Sequence, residues 1–136
     1  MQVTLLLCDA AQVSNGKLFV LGGGWNMMAA DTPANIALAI LFAVPWDQTN
    51  KQITVEAKLM TEDGEPAQVN DQVVEAMGQM EVGRPPGIKP GTDMNAPLAI
   101  PFNGVALPAG GYRWEIWVDK EMSAFAPFRT TEGALQ

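Results

Sequence analysis

The sequence predicts an all-β fold: a single domain built as a two-layer antiparallel sandwich of seven or eight strands. Three observations predict it. Apolar residues recur at period two along most of the chain, and no window holds an apolar stripe at helical spacing. Glycine, proline and asparagine punctuate the chain at short intervals, with 13 glycines and 10 prolines in 136 residues. The composition, 48% hydrophobic and 17% charged, is that of a globular chain with a buried core.

The elements follow in order. Val3, Leu5 and Leu7 alternate with Thr4, Leu6 and Cys8 as a first strand. "SNGK" at 14–17 contains Asn15-Gly16, a strong hairpin signal because both turn positions tolerate positive φ. Leu18 and Val20 open a second strand, and "NIALAILFAV" at 35–44 is a third. Ile53, Val55, Ala57 and Leu59 alternate with polar neighbours as a half-buried fourth, ended by the turn "EDGE" at 62–65. Val74, Ala76, Met80 and Val82 suggest a fifth, interrupted at Gly78. A long Pro/Gly loop is expected over 84–97, with a strand resuming at Leu98, Ile100 and Phe102. "LPAGGYRWEIWVDKE" supplies a turn and another strand, and Phe125–Thr130 a last short one. Leu107, Gly110 and Tyr112 stand as L-x-x-G-x-Y, the pattern of a tyrosine corner, in which a phenol satisfies a buried backbone group of an arching connection. With the strand count, this makes a Greek-key, immunoglobulin-like sandwich over residues 1–136 the expected architecture.

The glycine run in "GKLFVLGGGWNMM" raises the question of a phosphate loop. Such a loop must open a helix, whose free N–H groups hold the anion. Here "WNMMAADTP" follows, with no Gly-Lys-Ser/Thr and with Pro33 close behind. Gly22, Gly23 and Gly24 are therefore expected at a bulge or bend where the chain changes sheets, and no nucleotide is expected to bind. "DAAQVSNGKLFVLGGGWNMM", the hairpin "TEDGEP", "FNGVALPAGGYRWEIWVD" and the closing "PFRT" together resemble a family of small uncharacterised proteins from actinobacteria and their phages. The resemblance implies an immunoglobulin-like sandwich and brings no catalytic residue or cofactor. It implies structural roles only: Gly16 and Lys17 at the first hairpin, Gly22, Gly23 and Gly24 at the bend, Tyr112 at the corner.

The chemistry the composition allows is narrow. There is no histidine, which removes Ser-His and Cys-His nucleophile activation and the usual transition-metal ligand. Cys8 is the only cysteine, so zinc is not expected, and its context "LLLCD" lacks the basic start and small preceding residue of a lipoprotein site. Asp31, Asp47, Asp71 and Asp93 are loop carboxylates without an Asp-x-Asp cluster, expected to be solvated turn residues. A net charge of −7 with scattered basic residues argues against nucleic acid and anionic membrane surfaces. The longest apolar stretch is too short to span a bilayer and is broken by Pro45. "RPPGIKPG" lacks P-x-x-P spacing.

Two features read as binding surfaces. In the third strand Ala37, Ala39, Leu41 and Ala43 form a small apolar face opposite Ile36, Leu38, Ile40, Phe42 and Val44. An outer face meeting water should be polar, so this one is expected to be approached closely, by a second subunit or by a local loop. In the strand from Tyr112, the residues Tyr112, Trp114, Ile116 and Val118 share one face, leaving Trp117 among Arg113, Glu115 and Asp119 on the other. Trp117 is then either an anchor for a partner or a ring lying under a long neighbouring side chain. The leading expectation is a non-enzymatic binding or assembly module without cofactor, homo-oligomeric or bound to another protein, cytoplasmic, and through the resemblance open to phage derivation and a virion location. The competing expectations are a carboxylate-dependent hydrolase or calcium-binding module, and a virion-associated accessory protein.

Overall fold

A computed structural model describes residues 1–132. Its strands are β1 (Gln2–Ser14), β2 (Lys17–Gly23), β3 (Met27–Ala29), β4 (Ala34–Val44), β5 (Gln52–Thr61), β6 (Gln68–Val69), β7 (Gln72–Val73), β8 (Glu75–Glu81), β9 (Met94–Val105), β10 (Gly110–Val118) and β11 (Glu121–Thr131). Among the described residues there is no α-helix, only a 3-10 turn at Trp46–Gln48. The turns follow backbone chemistry. Asn15 and Gly16 hold φ of 52° and 69°, closing a two-residue hairpin whose twist matches its strands. Asn70-Asp71 and Asp119-Lys120 close β6–β7 and β10–β11 with the same pair of positive φ values.

Two sheets carry the fold. One has the strand order β2-β1-β4-β9, the other β3-β11-β10-β5-β8, and β6–β7 form a separate two-stranded ribbon. The sheets pack face to face through one cluster that takes Leu38, Ile40 and Phe42 from β4 and Trp114 and Ile116 from β10. Across the layers Phe102 lies 4.6 Å from Trp114, ring centroid to centroid. The alternation of β5 places Ile53, Val55, Ala57 and Leu59 in this core and Thr54, Glu56 and Lys58 on the outside. Period two thus translates directly into layer and surface.

Five details depart from the sequence reading. Eleven strands are described where seven or eight are expected, the additions being β3 and the β6–β7 ribbon. The five-stranded sheet is mixed, since β3 pairs parallel with β11, while the four-stranded sheet is antiparallel throughout. The strand expected from Leu98 begins at Met94, so the end of the expected 84–97 loop is strand. Pro97 and Pro101 are tolerated there because β9 is an edge strand, where a missing N–H costs no ladder bond. Gly78 does not interrupt β8, and β11 begins at Glu121 instead of Phe125.

The corner at Tyr112 has the geometry its spacing suggests. Its hydroxyl donates to the Pro108 carbonyl at 2.8 Å, and its ring stacks on Phe128 with centroids 5.7 Å apart. Thr130, buried on β11, donates its hydroxyl to the same carbonyl at 2.6 Å and accepts from the Gly110 N–H at 3.0 Å. The connection into β10 is therefore fixed from two strands. Burial pushes the Tyr112 phenol above its ordinary pKa, and the charge of Asp31 adds to the effect.

Candidate functional site

The alanine face of β4 is closed by the chain itself. Ala37 and Ala39 are each only 2% exposed and form a small cluster with buried Cys8, against which Ala11 and Leu18 pack. Those two residues belong to the outer half of the β1–β2 hairpin, which bends so that β2 approaches β4 and β9, strands that are not its sheet neighbours. The glycines make the bend. Gly22 has φ +63°, and a side chain there would collide with Asp9; a Cβ on Gly23 would lie 2.8 Å from Val20 Cγ1 and 2.9 Å from Leu6 Cδ2. After Gly24 the chain crosses to the other sheet and runs into β3, with no helix to hold an anion. The expectation of a docking surface at Ala37, Ala39, Leu41 and Ala43 is thus corrected at its centre. Alanine is required there because a larger side chain would hold the hairpin off; Leu41 and Ala43, beyond it, are half-buried. Cys8 sits under the same cover, its thiol 3.3 Å from the Ala37 carbonyl, and burial, then the neighbouring charge of Asp9, raises its pKa.

Trp117 is half-buried on the outer face of the five-stranded sheet and engaged by its own chain. Its indole N–H donates to Glu115 Oε1 at 2.9 Å, and the Lys58 ammonium lies 4.6 Å from its ring centroid. Glu115 is 3% exposed, although its strand position points outward. Arg113 Nη2 approaches Glu115 Oε2 at 2.6 Å, and the same guanidinium lies 5.3 Å from the ring centroid of Phe125. Of the two readings of Trp117, the ring under a long neighbour is the one realised in the chain. The aromatic standing free on this face is Phe125, 52% exposed, a residue the sequence reading left as an ordinary strand position.

Beside this network lies a depression of about 510 Å³, bounded by Met27, Glu62, Gly111, Arg113, Phe125 and Pro127, with Arg129 at its rim. Gly111 forms its floor. A Cβ there would fall 2.1 Å from Glu62 Oε2 and 3.0 Å from Arg129 Nη2, so glycine is what lets those side chains meet at 3.0 Å over the strand. Both partners are more than half exposed. The groove therefore joins an apolar wall, Phe125 with Met27 and Pro127, to two guanidiniums. The Arg113 Nε is buried without a partner. Local sequence gives no sign of this, because Glu62 and Arg129 meet across 67 positions.

A second, apolar cleft of about 230 Å³ opens between β8 and β9, lined by Val55, Ala76, Met80, Leu98 and Ile100 with Gly78 at its mouth. Among the described residues no three His, Cys, Asp or Glu side chains are grouped to hold a metal ion. Asp31, Asp47, Asp71 and Asp93 are all exposed, each in its own turn or loop. Arg84, at the start of the long loop, donates from Nε to Thr49 Oγ1 and stacks 3.9 Å over Trp46. No helix of the described residues is long and apolar enough to cross a membrane. No curated protein is detectably similar in sequence. A family model, by contrast, matches residues 3–131, from the start of β1 to the end of β11, and so takes in both the folded-over hairpin and the arginine-lined groove: the chain belongs to the family of unknown function DUF6941.

Proposed function

We propose that the protein is a non-enzymatic binding module whose docking face is the outer face of the five-stranded sheet, centred on the groove at Gly111. The observation that carries the reading is the pairing, in one depression, of exposed apolar anchors with arginines held in place. Phe125 and Met27 are 52% and 49% exposed, and aromatic and arginine side chains together dominate binding energy at protein interfaces. Arg113 is fixed by buried Glu115, while the exposed Arg129–Glu62 pair can exchange Glu62 for a partner's carboxylate at small cost. The fitting occupant is a protein segment that presents an apolar side chain next to an acidic one. An immunoglobulin-like, Greek-key arrangement belongs to the same reading; the tyrosine corner at Tyr112 and the crossing between sheets at Gly22–Gly24 support it.

The hydrolase alternative gains nothing from the enclosed carboxylate, Glu115, because both its oxygens are taken by Arg113 and Trp117. The test of the binding reading is comparative. Immobilised wild-type protein and the variant Phe125→Ser/Arg129→Glu are exposed to a lysate of the source cells, and retained proteins are identified by mass spectrometry. A partner kept by the wild type and lost by the variant, then remade and titrated with at least about a tenfold difference in Kd, supports the groove. Identical retention by both removes it.

A further inference from the structure

The free edges of the two main sheets are not alike. β9 carries Pro97 and Pro101, β3 is only three residues long, and β8 presents Glu75, Gln79 and Glu81 around Gly78. Each is a recognised guard against strand addition: missing donors, shortness, charge. β2 has no proline, is seven residues long and leaves its centre without charge. It reads "KLFVLGG", with one charge at its first residue, and its Phe19, Val20 and Leu21 are 55%, 39% and 72% exposed. In a two-residue hairpin the closing pair exchanges hydrogen bonds and the pattern alternates from there. Lys17, Phe19 and Leu21 are therefore bonded to Ser14, Gln12 and Ala10, and the N–H and C=O groups of Leu18 and Val20 point to an edge with no strand beside it.

We propose that β2 pairs antiparallel with β2 of a second copy of this chain, across a two-fold axis at Phe19, so that two four-stranded sheets become one. Leu18 of each copy exchanges main-chain hydrogen bonds with Val20 of the other, Phe19 faces its own equivalent, and Lys17 lies opposite Leu21. The segment is self-complementary in this register: its outward-facing groups match, and the two Lys17 ammoniums fall at opposite ends of the seam. β2 brings no carboxylate, so the net charge of −7 is carried elsewhere on the chain. The register centred on Val20 would set Leu18 against Gly22, whose φ of +63° breaks the strand, and is disfavoured. This surface is separate from the groove at Gly111, and neither proposal depends on the other.

Sedimentation velocity on the full chain is expected to give twice the monomer mass of 14.6 kDa. Phe19→Lys, a change at an exposed side chain that sets like charges on the axis, should return it to the monomer mass with an unchanged circular dichroism spectrum. The groove variant Phe125→Ser/Arg129→Glu should stay dimeric, which separates the two surfaces. In a Cys8→Ser background, Phe19→Cys should form an intermolecular disulfide under oxidised glutathione. The Cα atoms of a non-hydrogen-bonded antiparallel pair stand about 4.5 Å apart, within disulfide reach. Leu21→Cys in the same background should not cross-link. A wild type that sediments as a monomer at every concentration overturns the proposal. So does a Phe19→Lys dimer, or a Leu21→Cys chain that cross-links as readily as Phe19→Cys.

Discussion

The outer faces of the two sheets solve the same problem in opposite ways. Above the four-stranded sheet the side chains are small and uncharged, Ala37 and Ala39 at the centre, and the chain closes over them with its first hairpin. Above the five-stranded sheet they are large and mixed, with Phe125 and Met77 standing free and a carboxylate, Glu115, sealed beneath Arg113 and Trp117. Small apolar residues on an outer face mark where the molecule has already used that face. Large apolar residues interleaved with organised charge mark where it is still available.

The largest effect that separates the faces is a new charge on each. Ala39→Glu should cost about 3 kcal/mol or more, because the carboxylate would be buried under the hairpin without a partner. Met77→Glu, at a residue 76% exposed on the other face, should change stability by less than about 0.5 kcal/mol. Urea denaturation midpoints read both, and equal losses would erase the distinction between a covered and an open face. Next in size is Glu115→Ala, which strips a charged hydrogen-bond partner from Arg113 and an acceptor from Trp117. A loss of about 2 kcal/mol is expected, with altered tryptophan fluorescence. A variant as stable as wild type would mean that the organised charge is ornamental.

A smaller loss than that of Glu115→Ala is expected at the corner that anchors the five-stranded sheet. Tyr112→Phe removes one buried hydrogen bond and should cost about 1 kcal/mol at neutral pH. It also carries a pH signature. The folded phenol holds its proton above the ordinary value near 10, whereas the unfolded chain releases it there. The stabilisation is complete below that pH and declines as pH rises beyond it, because unfolding then releases a proton. Wild type should therefore lose stability with rising alkalinity more steeply than Tyr112→Phe. Parallel slopes in thermal melts between pH 9 and about 11 would show that the phenol is solvated.

What the sequence discloses and what it withholds divide along a physical line. The Asn15-Gly16 turn, the alternation of β5 and the L-x-x-G-x-Y spacing are local, and each fixes backbone or facing directly. The Asp119-Lys120 turn has equally strained dihedrals but residue types that advertise nothing, so β11 is read five residues too short. The alanines of β4 state that something approaches closely; only the fold shows that the visitor is Leu18, about twenty positions earlier in the same chain. Gly110-Gly111 looks like a turn in isolation. Gly111 becomes a groove floor because Glu62, in the turn after β5, and Arg129, on β11, converge over it from parts of the chain far apart in sequence.

The parallel pairing of β3 with β11 has a consequence for the order of assembly. Among the described residues, Met27, Met28 and Ala29 find their sheet partner in Arg129, Thr130 and Thr131, and Trp25 packs edge-on against Phe128. A chain emerging from the ribosome can close the β1–β2 hairpin at once, yet β3 must wait until residues 129–131 have been made. The glycine bend before it is thus a holding point: the β1–β2 hairpin can close on one side of it while β3, just beyond, stays unpaired until β11 exists. Pairing β3 with β11 joins segments about a hundred positions apart in the chain.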